Sequence, residues 1–264
     1  MTWEEHIKTL KEVLTRLEAA NLKAKPSKCF VAFKNIEFLG HQVSRGCLKP
    51  NHDKISSILE AKRPETKKQL RSFLGLAGYY RRFVPNFAAI ACPLTEQTRK
   101  GKPNLIKWEK EQEQAFQTLK AKLADDPILH LPDVERQFIL RTDASDNGIG
   151  AVLLQENEGE KFPVAYASRK LLPRERNYST IERECLAVVW AVQRFEPYLY
   201  GRKFILEVDH EPLLSMKKGK VANGRVLRWA LILQPYQYHV EAIKGKDNVG
   251  ADFMSRSNHS TGGG

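Results

Sequence analysis

No run of apolar residues in the chain approaches the roughly twenty that a membrane-spanning helix needs. The polar start at Glu4, Glu5 and His6 is unlike a signal peptide. Cysteine is sparse: Cys29, Cys47, Cys92 and Cys185 form no C-x-x-C pair and have no histidines at zinc-ligand spacing. That argues against a zinc fold and for free thiols in a reducing compartment. No aspartate precedes Asp53, there is no internal repeat, and only the glycine-ended tail is of low complexity. These absences lead us to expect a soluble, intracellular chain with no membrane partner.

What is present is a basic excess. Lys and Arg total 43 against 31 acidic residues in 264, a net charge of +12 and a pI near 9.5. Such an excess suggests a polyanionic partner, most often nucleic acid. The excess is uneven: residues 1–128 carry a net +10 and residues 129–264 only +2. Two parts with different tasks are therefore expected, the first gripping phosphates and the second needing its acids.

Thr2-Trp3-Glu4-Glu5 has the spacing of a capping box, and Ile7, Leu10, Leu14 and Leu17 follow at helical intervals, predicting a helix over 4–20. Phe30–Phe33 and Ile36–Val43 are short apolar runs around Lys34-Asn35, consistent with a hairpin, and Arg45-Gly46 marks a further turn. Ile55, Ile58 and Leu59 form a helical stripe broken by Pro64. A second capping box, Thr66 to Gln69, opens another with Leu70, Phe73, Leu74 and Ala77. A helix over Glu109–Leu123 precedes the Pro-containing stretch Asp125–Pro132, the best boundary. Beyond it, strands are expected at Phe138–Arg141, Ile149–Leu154, Phe162–Ala167, Phe204–Val208 and Tyr236–Ile243. Helices are expected from Ser179 to about Phe195, at Arg225–Leu233 and at Val249–Met254. That order implies an α/β domain with a mixed sheet.

Four acids stand in unusual places. Asp143 follows one apolar strand and Asp209 another, and strand ends are where an α/β sheet presents catalytic side chains. Glu184 leans toward an apolar helix face between Ile181 and Val188, and Asp252 sits beside Phe253 and Met254. An acid against apolar surface is costly unless paired or bound to metal. Each acid alone has an ordinary explanation as a turn residue, helix cap or surface charge, with Glu182 the better capping partner on its helix.

The set has a family resemblance. Arg141-Thr142-Asp143-Ala144-Ser145-Asp146-Asn147-Gly148-Ile149-Gly150 resembles the first motif of ribonuclease H domains in gypsy-class LTR retrotransposons. Tyr178-Ser179-Thr180 with Glu182 and Glu184-Cys185-Leu186-Ala187 resembles the second, Val208-Asp209-His210 the third, and Lys244–Asn248 through Ala251-Asp252 the last. Phe38-Leu39-Gly40-His41 is similar to the primer-grip hairpin that closes a reverse transcriptase palm, and Leu70–Pro85 to the thumb.

The resemblance implies a palm remnant over 1–50, a basic thumb-like region over 51–128, an RNase H domain over 129–256 and a disordered tail over 257–264. Its implied activity is cleavage of the RNA strand of RNA–DNA hybrids. Asp143, Glu184, Asp209 and Asp252 would hold two Mg²⁺, with Mn²⁺ as a substitute, since hard cations prefer oxygen ligands. Phe38, Leu39, Gly40 and His41 would face nucleic acid, as would Lys67, Lys68, Arg71, Arg81 and Arg82. The implied setting is a cytoplasmic virus-like particle, or the nucleus if the copy is domesticated.

Two departures qualify the match. The family's Tyr-x-Asp-Asp motif is absent, so polymerase activity is not expected from this chain alone, and a separate palm chain or self-association would cover the apolar palm remnant. Lys244–Ala251 also lacks the His that many ribonucleases H carry before their last Asp. The rival reading is a domesticated, non-catalytic protein that binds nucleic acid or protein. A weaker one is an integrase or transposase, whose third acid is a Glu rather than Asp252.

Overall fold

The computed structural model describes residues 2–44, 46–208 and 224–243. The turn at Arg45, Asp209, the last expected helix, Asp252 and the tail lie outside the described residues. The backbone divides into two units, residues 1–36 and 37–264. In the first, α1 (Trp3–Ala19) starts where the sequence places it. Thr2 accepts from the Glu5 amide and the Glu5 carboxylate accepts from the Thr2 amide at 2.6 Å. No residue of α1 is buried, and Phe30 packs edge-to-face on Phe33 at 5.6 Å.

The expected hairpin is displaced. Phe30–Phe33 form no strand; the paired strands are β1 (Asn35–Phe38) and β2 (His41–Ser44). The turn falls on Leu39 and Gly40, with φ of 47° and 68°. Two successive positive φ values match the right-handed twist of flanking strands, and Gly supplies one without strain. Lys34-Asn35 carries no comparable constraint. β3 (Cys47–Pro50) then pairs antiparallel with β2, and β4 (Leu129–His130), inside the stretch expected to be a boundary, pairs with β3.

Between β3 and β4 lies the helical region. Asn51 caps α2 (His52–Leu59), and the Thr66–Gln69 box caps α3 (Lys67–Tyr79) as expected. Two short helices follow, α4 (Phe87–Ile90) and α5 (Cys92–Gln97), which helical periodicity cannot register over so few residues. α6 (Lys110–Ala124) completes the set. Ile58, Leu70, Phe73, Phe116, Leu119 and Leu129 share one core. Each such fully buried side chain contributes about 2 kcal/mol.

The second core belongs to a five-stranded mixed sheet in the order β7-β6-β5-β8-β9. β5 (Phe138–Ala144), β6 (Gly148–Asn157) and β7 (Glu160–Lys170) are antiparallel neighbours. β8 (Lys203–Val208) and β9 (Gln237–Ala242) join in parallel. β7 accommodates Pro163 because it is an edge strand, and its register with β6 shifts at Leu153/Leu154 beside that proline. α7 (Thr180–Arg194), α8 (Glu196–Leu199) and α9 (Gly224–Leu233) complete this part. Phe138, Leu140, Leu153 and Ala165 point to the α7 side, where Val188 and Val192 meet them.

The opposite face of β7 is covered by the helical region. Tyr166 packs on that region's core, and burial pushes its phenol pKa up to about 12. Ser168 Oγ accepts from the Ala88 amide at 2.9 Å, and the Arg81 guanidinium donates to the Ser168 carbonyl at 2.5 Å. Lys170 reaches Glu96 at 3.0 Å. The sheet is thus a middle layer, with α7 on one side and residues 81–96 on the other.

Candidate active site

Asp143 is the penultimate residue of β5, exposed, and directly opposite Gly150 on β6. Side chains alternate along a strand. Phe138, Leu140 and Ala144 pack on the α7 side, so Ile139, Arg141 and Asp143 belong to the face turned away from it. Glu184 lies near the start of α7, half-buried, at i−3, i−4 and i−7 from the buried Ala187, Val188 and Ala191. That spacing sets it on the helix's sheet-facing stripe. Burial first, and the charges of Glu184 and Glu182 next, push the Cys185 thiol up to about 12.

The two acids belong to elements that are tied together. Arg183, beside Glu184, pairs with Asp146 in the loop after β5. Leu186 and Ala187 of α7 pack with Ile149 and Ala144 at the same end of the sheet. Glu182 has another task. Its carboxylate accepts from the Ser179 amide at 2.9 Å and pairs with Arg225 of α9 at 2.6 Å, completing the cap of α7. The Arg225 guanidinium also stands 4.0 Å from the Tyr178 ring centroid.

Asp209 and Asp252 lie outside the described residues. β8, which ends at Val208, is the parallel neighbour of β5. Among the described residues no group of three or more His, Cys, Asp or Glu could hold a metal. Of the four expected ligands, Asp143 and Glu184 lie among the described residues. Their donors are carboxylate oxygens, and Asp143 is exposed at the end of its strand, so chemistry and access both suit a hard cation such as Mg²⁺.

The turn expected to face nucleic acid is built from outside itself. Phe38 and Leu39 are 61% and 71% exposed, while the backbone beneath them is fastened to the end of α3. The Tyr79 hydroxyl donates to the Leu39 carbonyl and the Tyr80 hydroxyl to the Gly40 carbonyl, the latter at 2.8 Å. The His41 ring stacks on Phe83, and its Nδ1 lies 2.7 Å from the Leu39 carbonyl oxygen. These tyrosine roles went unpredicted, because hydroxyl-to-carbonyl bonds across forty residues leave no local pattern.

The five expected phosphate-gripping cations have unlike surroundings. Lys68 is exposed and Arg82 half-buried. Lys67 donates to the carbonyls of Arg99 and Lys102, and Arg71 to that of Thr98 at 3.0 Å. Arg81 bonds Ser168 as described, and burial lowers its pKa.

A five-stranded mixed sheet with an acid at the end of its central strand, and a capped helix bearing a second acid, defines the RNase H-like class. Residues 108–206 match the family model described as "RNase H-like domain found in reverse transcriptase". Over 252 residues the chain is 43% identical to the Retrovirus-related Pol polyprotein from transposon 297 of Drosophila melanogaster, covering 96% of this chain and 23% of that protein. Over 265 residues it is 37% identical to the corresponding polyprotein from transposon gypsy of the same organism, covering 96% and 25%. These homologues are gypsy-class Pol polyproteins, and the chain spans about a quarter of the length of these two relatives. In fold it is similar to a foamy viral protease-reverse transcriptase solved in complex with double-stranded DNA. That likeness has a TM-score of 0.77 at 23% identity, over 92% of this chain and 44% of that one. A second foamy viral protease-reverse transcriptase structure, in complex with an RNA/DNA hybrid, gives 0.74 over 92% and 34%.

Proposed function

We propose that this chain cleaves the RNA strand of RNA–DNA hybrids. The observation that carries the reading is the placement of Asp143 and Glu184 on β5 and α7, joined by the Arg183–Asp146 pair, in a domain of the RNase H-like class. Asp143, Glu184, Asp209 and Asp252 are the acids that would hold two Mg²⁺. Mg²⁺ bound there would lower the pKa of an attacking water and stabilise the departing 3′ oxygen. The protein's own contribution is to hold carboxylates on rigid elements. β5 is fixed by ladders on both sides, and α7 by its Ser179–Glu182 cap. A retained 2′-OH would distinguish RNA from DNA at the cut.

The partner is a hybrid duplex. The basic excess of residues 1–128 supports it, as do the nucleic acids bound in the structurally similar foamy viral proteins. Exposed Phe38 and Leu39, with Lys68, are surface groups of residues 37–264 that would meet it. The setting is a virus-like particle in the cytoplasm, or the nucleus for a domesticated copy.

A labelled hybrid incubated with the full chain tests the reading. Cleavage with Mg²⁺ or Mn²⁺, stopped by EDTA, is expected. Equal cutting of plain double-stranded DNA would sink it.

A further inference from the structure

The two edges of the five-stranded sheet are unlike. β7 carries Pro163, and residues 81–96 cover it. Proline, lysine, bulges and cover are the means by which a sheet edge is kept from pairing with another strand. β9 ends the strand order on the other side, and Gln237–Ala242 contains neither proline nor lysine. Its pairing with β8 runs without a bulge over all six residues.

The backbone fixes which groups this edge presents. The Ile243 amide donates to the Val208 carbonyl of β8 at 2.9 Å. Backbone groups of successive residues point to alternate sides of a strand, so those of Glu241 and His239 also face β8, and those of Val240 face outward. A strand joining this edge would therefore exchange its bonds with Val240. Side chains alternate as well. Tyr238 and Val240 pack on the core beneath α7, which leaves the exposed His239 and Glu241 on the opposite face. Within the sheet the lateral neighbour of Glu241 is another carboxylate, Glu207, whose cations Arg141 and Lys161 belong to β5 and β7. A cation for Glu241 is thus best accommodated on its outer side.

We propose that β9 pairs antiparallel with β9 of a second copy of this chain, about a two-fold axis at Val240. Val240 then exchanges both backbone bonds with its counterpart, and each His239 stands directly opposite Glu241 of the other copy. Such flanking pairs are of the non-hydrogen-bonded kind, in which side chains come closest. Charge selects this register. A two-fold at Glu241 would oppose carboxylate to carboxylate and one at His239 imidazole to imidazole, whereas Val240 gives two complementary pairs. Apolar surface adjoins the strand. Leu227 and Leu231 are 62% and 59% exposed, one turn apart on α9. Leu231 also lines, with Phe204, Tyr236 and Tyr238, a cavity of about 660 Å³ against β8 and β9. Pairing at β9 would shield these groups.

Sedimentation equilibrium of the full chain over a concentration series tests the proposal, with thermal melts to show that each variant folds. Wild type is expected to dimerise. His239→Glu sets carboxylates opposite each other at both flanking pairs and is expected to weaken the dimer by about tenfold or more. Adding Glu241→Lys to it restores opposite charges and should return the dissociation constant to within about threefold of wild type. Both positions are exposed, so the fold should tolerate the changes. Amide exchange followed by NMR should slow at Val240 as concentration rises and stay constant at His239 and Glu241, whose amides face β8. A monomer at every concentration, a dimer indifferent to His239→Glu, no recovery in the double variant, or a Val240 amide equally protected at all concentrations would each overturn the proposal. The nuclease reading is independent of every one of these outcomes.

Discussion

Arg141 and Glu207 stand directly opposite each other on the parallel strands β5 and β8, and their side chains pair at 2.7 Å with the carboxylate 1% exposed. Lys161 of β7 pairs with the same carboxylate at 2.5 Å. Arg141 is two residues before Asp143 on the same face, so this triad, with its carboxylate buried and its cations partly exposed, lies beneath the proposed catalytic end of β5.

Glu207→Gln keeps the shape and removes the charge that holds two cations. Breaking a buried pair in this way is expected to cost about 3 kcal/mol, read as a lower urea midpoint at neutral pH. Burial alone would raise the Glu207 pKa, but bonds from Lys161 and Arg141 outweigh it and hold it below the ordinary 4.5. Its stabilisation is therefore present above that value and lost as pH falls through the lower folded value. The gap between wild type and variant should shrink on acidification; a gap that widens contradicts the account.

The Leu39–Gly40 turn depends on α3. Tyr80→Phe removes the buried hydroxyl that bonds the Gly40 carbonyl, at a cost of about 1 kcal/mol. Amide hydrogen exchange should quicken at residues 39–41 before it changes in the sheet. Exchange unaltered there would mean that the turn holds itself.

The two acids of α7 should separate cleanly. Asp143→Asn and Glu184→Gln are expected to reduce hybrid cleavage by orders of magnitude with the fold intact. Glu182→Gln is expected to lower the unfolding midpoint, through the weakened Ser179 cap and the Arg225 pair, by about 1 kcal/mol, and to leave kcat near wild type. A kcat lost in Glu182→Gln and kept in Glu184→Gln would move the assignment two residues along the helix.

Among the cations, surroundings predict different outcomes. Lys68→Ala should flatten the salt dependence of hybrid binding, by about 0.9 in slope if it neutralises one phosphate. Lys67→Ala should chiefly lower stability, by about 1 kcal/mol, because its ammonium donates to the carbonyls of Arg99 and Lys102. Fluorescence anisotropy across a salt series, beside thermal melts, checks both. Equal slopes for the two variants would contradict the distinction.

Much of this was legible from residues. The capping boxes at Thr2, Thr66 and Ser179 mark helix starts because hydroxyl and carboxamide or carboxylate groups satisfy backbone amides three residues away. Strands β5 and β8 follow from apolar runs of the right length, although β5 runs past the expected Arg141 to Ala144 and takes in Asp143. The misplaced hairpin turn has a physical cause: Leu39 takes a positive φ that leucine does not advertise, while its carbonyl is held by Tyr79 from forty residues away. β4 is two residues long and exists only through its pairing with β3. The approach of Asn86 to Gly150 depends on tertiary packing, and its one trace in the sequence is a glycine inside an apolar strand.

The covering of β7 by residues 81–96 changes what a domain boundary means in this chain. The family match begins at Trp108, downstream of Arg81, Asn86 and Ala88. A fragment cut there would keep every strand of the sheet yet lose one of its walls. Tyr166 would meet water, the hydroxyl and carbonyl of Ser168 would lose their donors from Ala88 and Arg81, and the space over Gly150 would stand open. The nuclease-like part is thus a tenant of the segment upstream of it, and shortening the chain to its recognisable core would strip that core on one side.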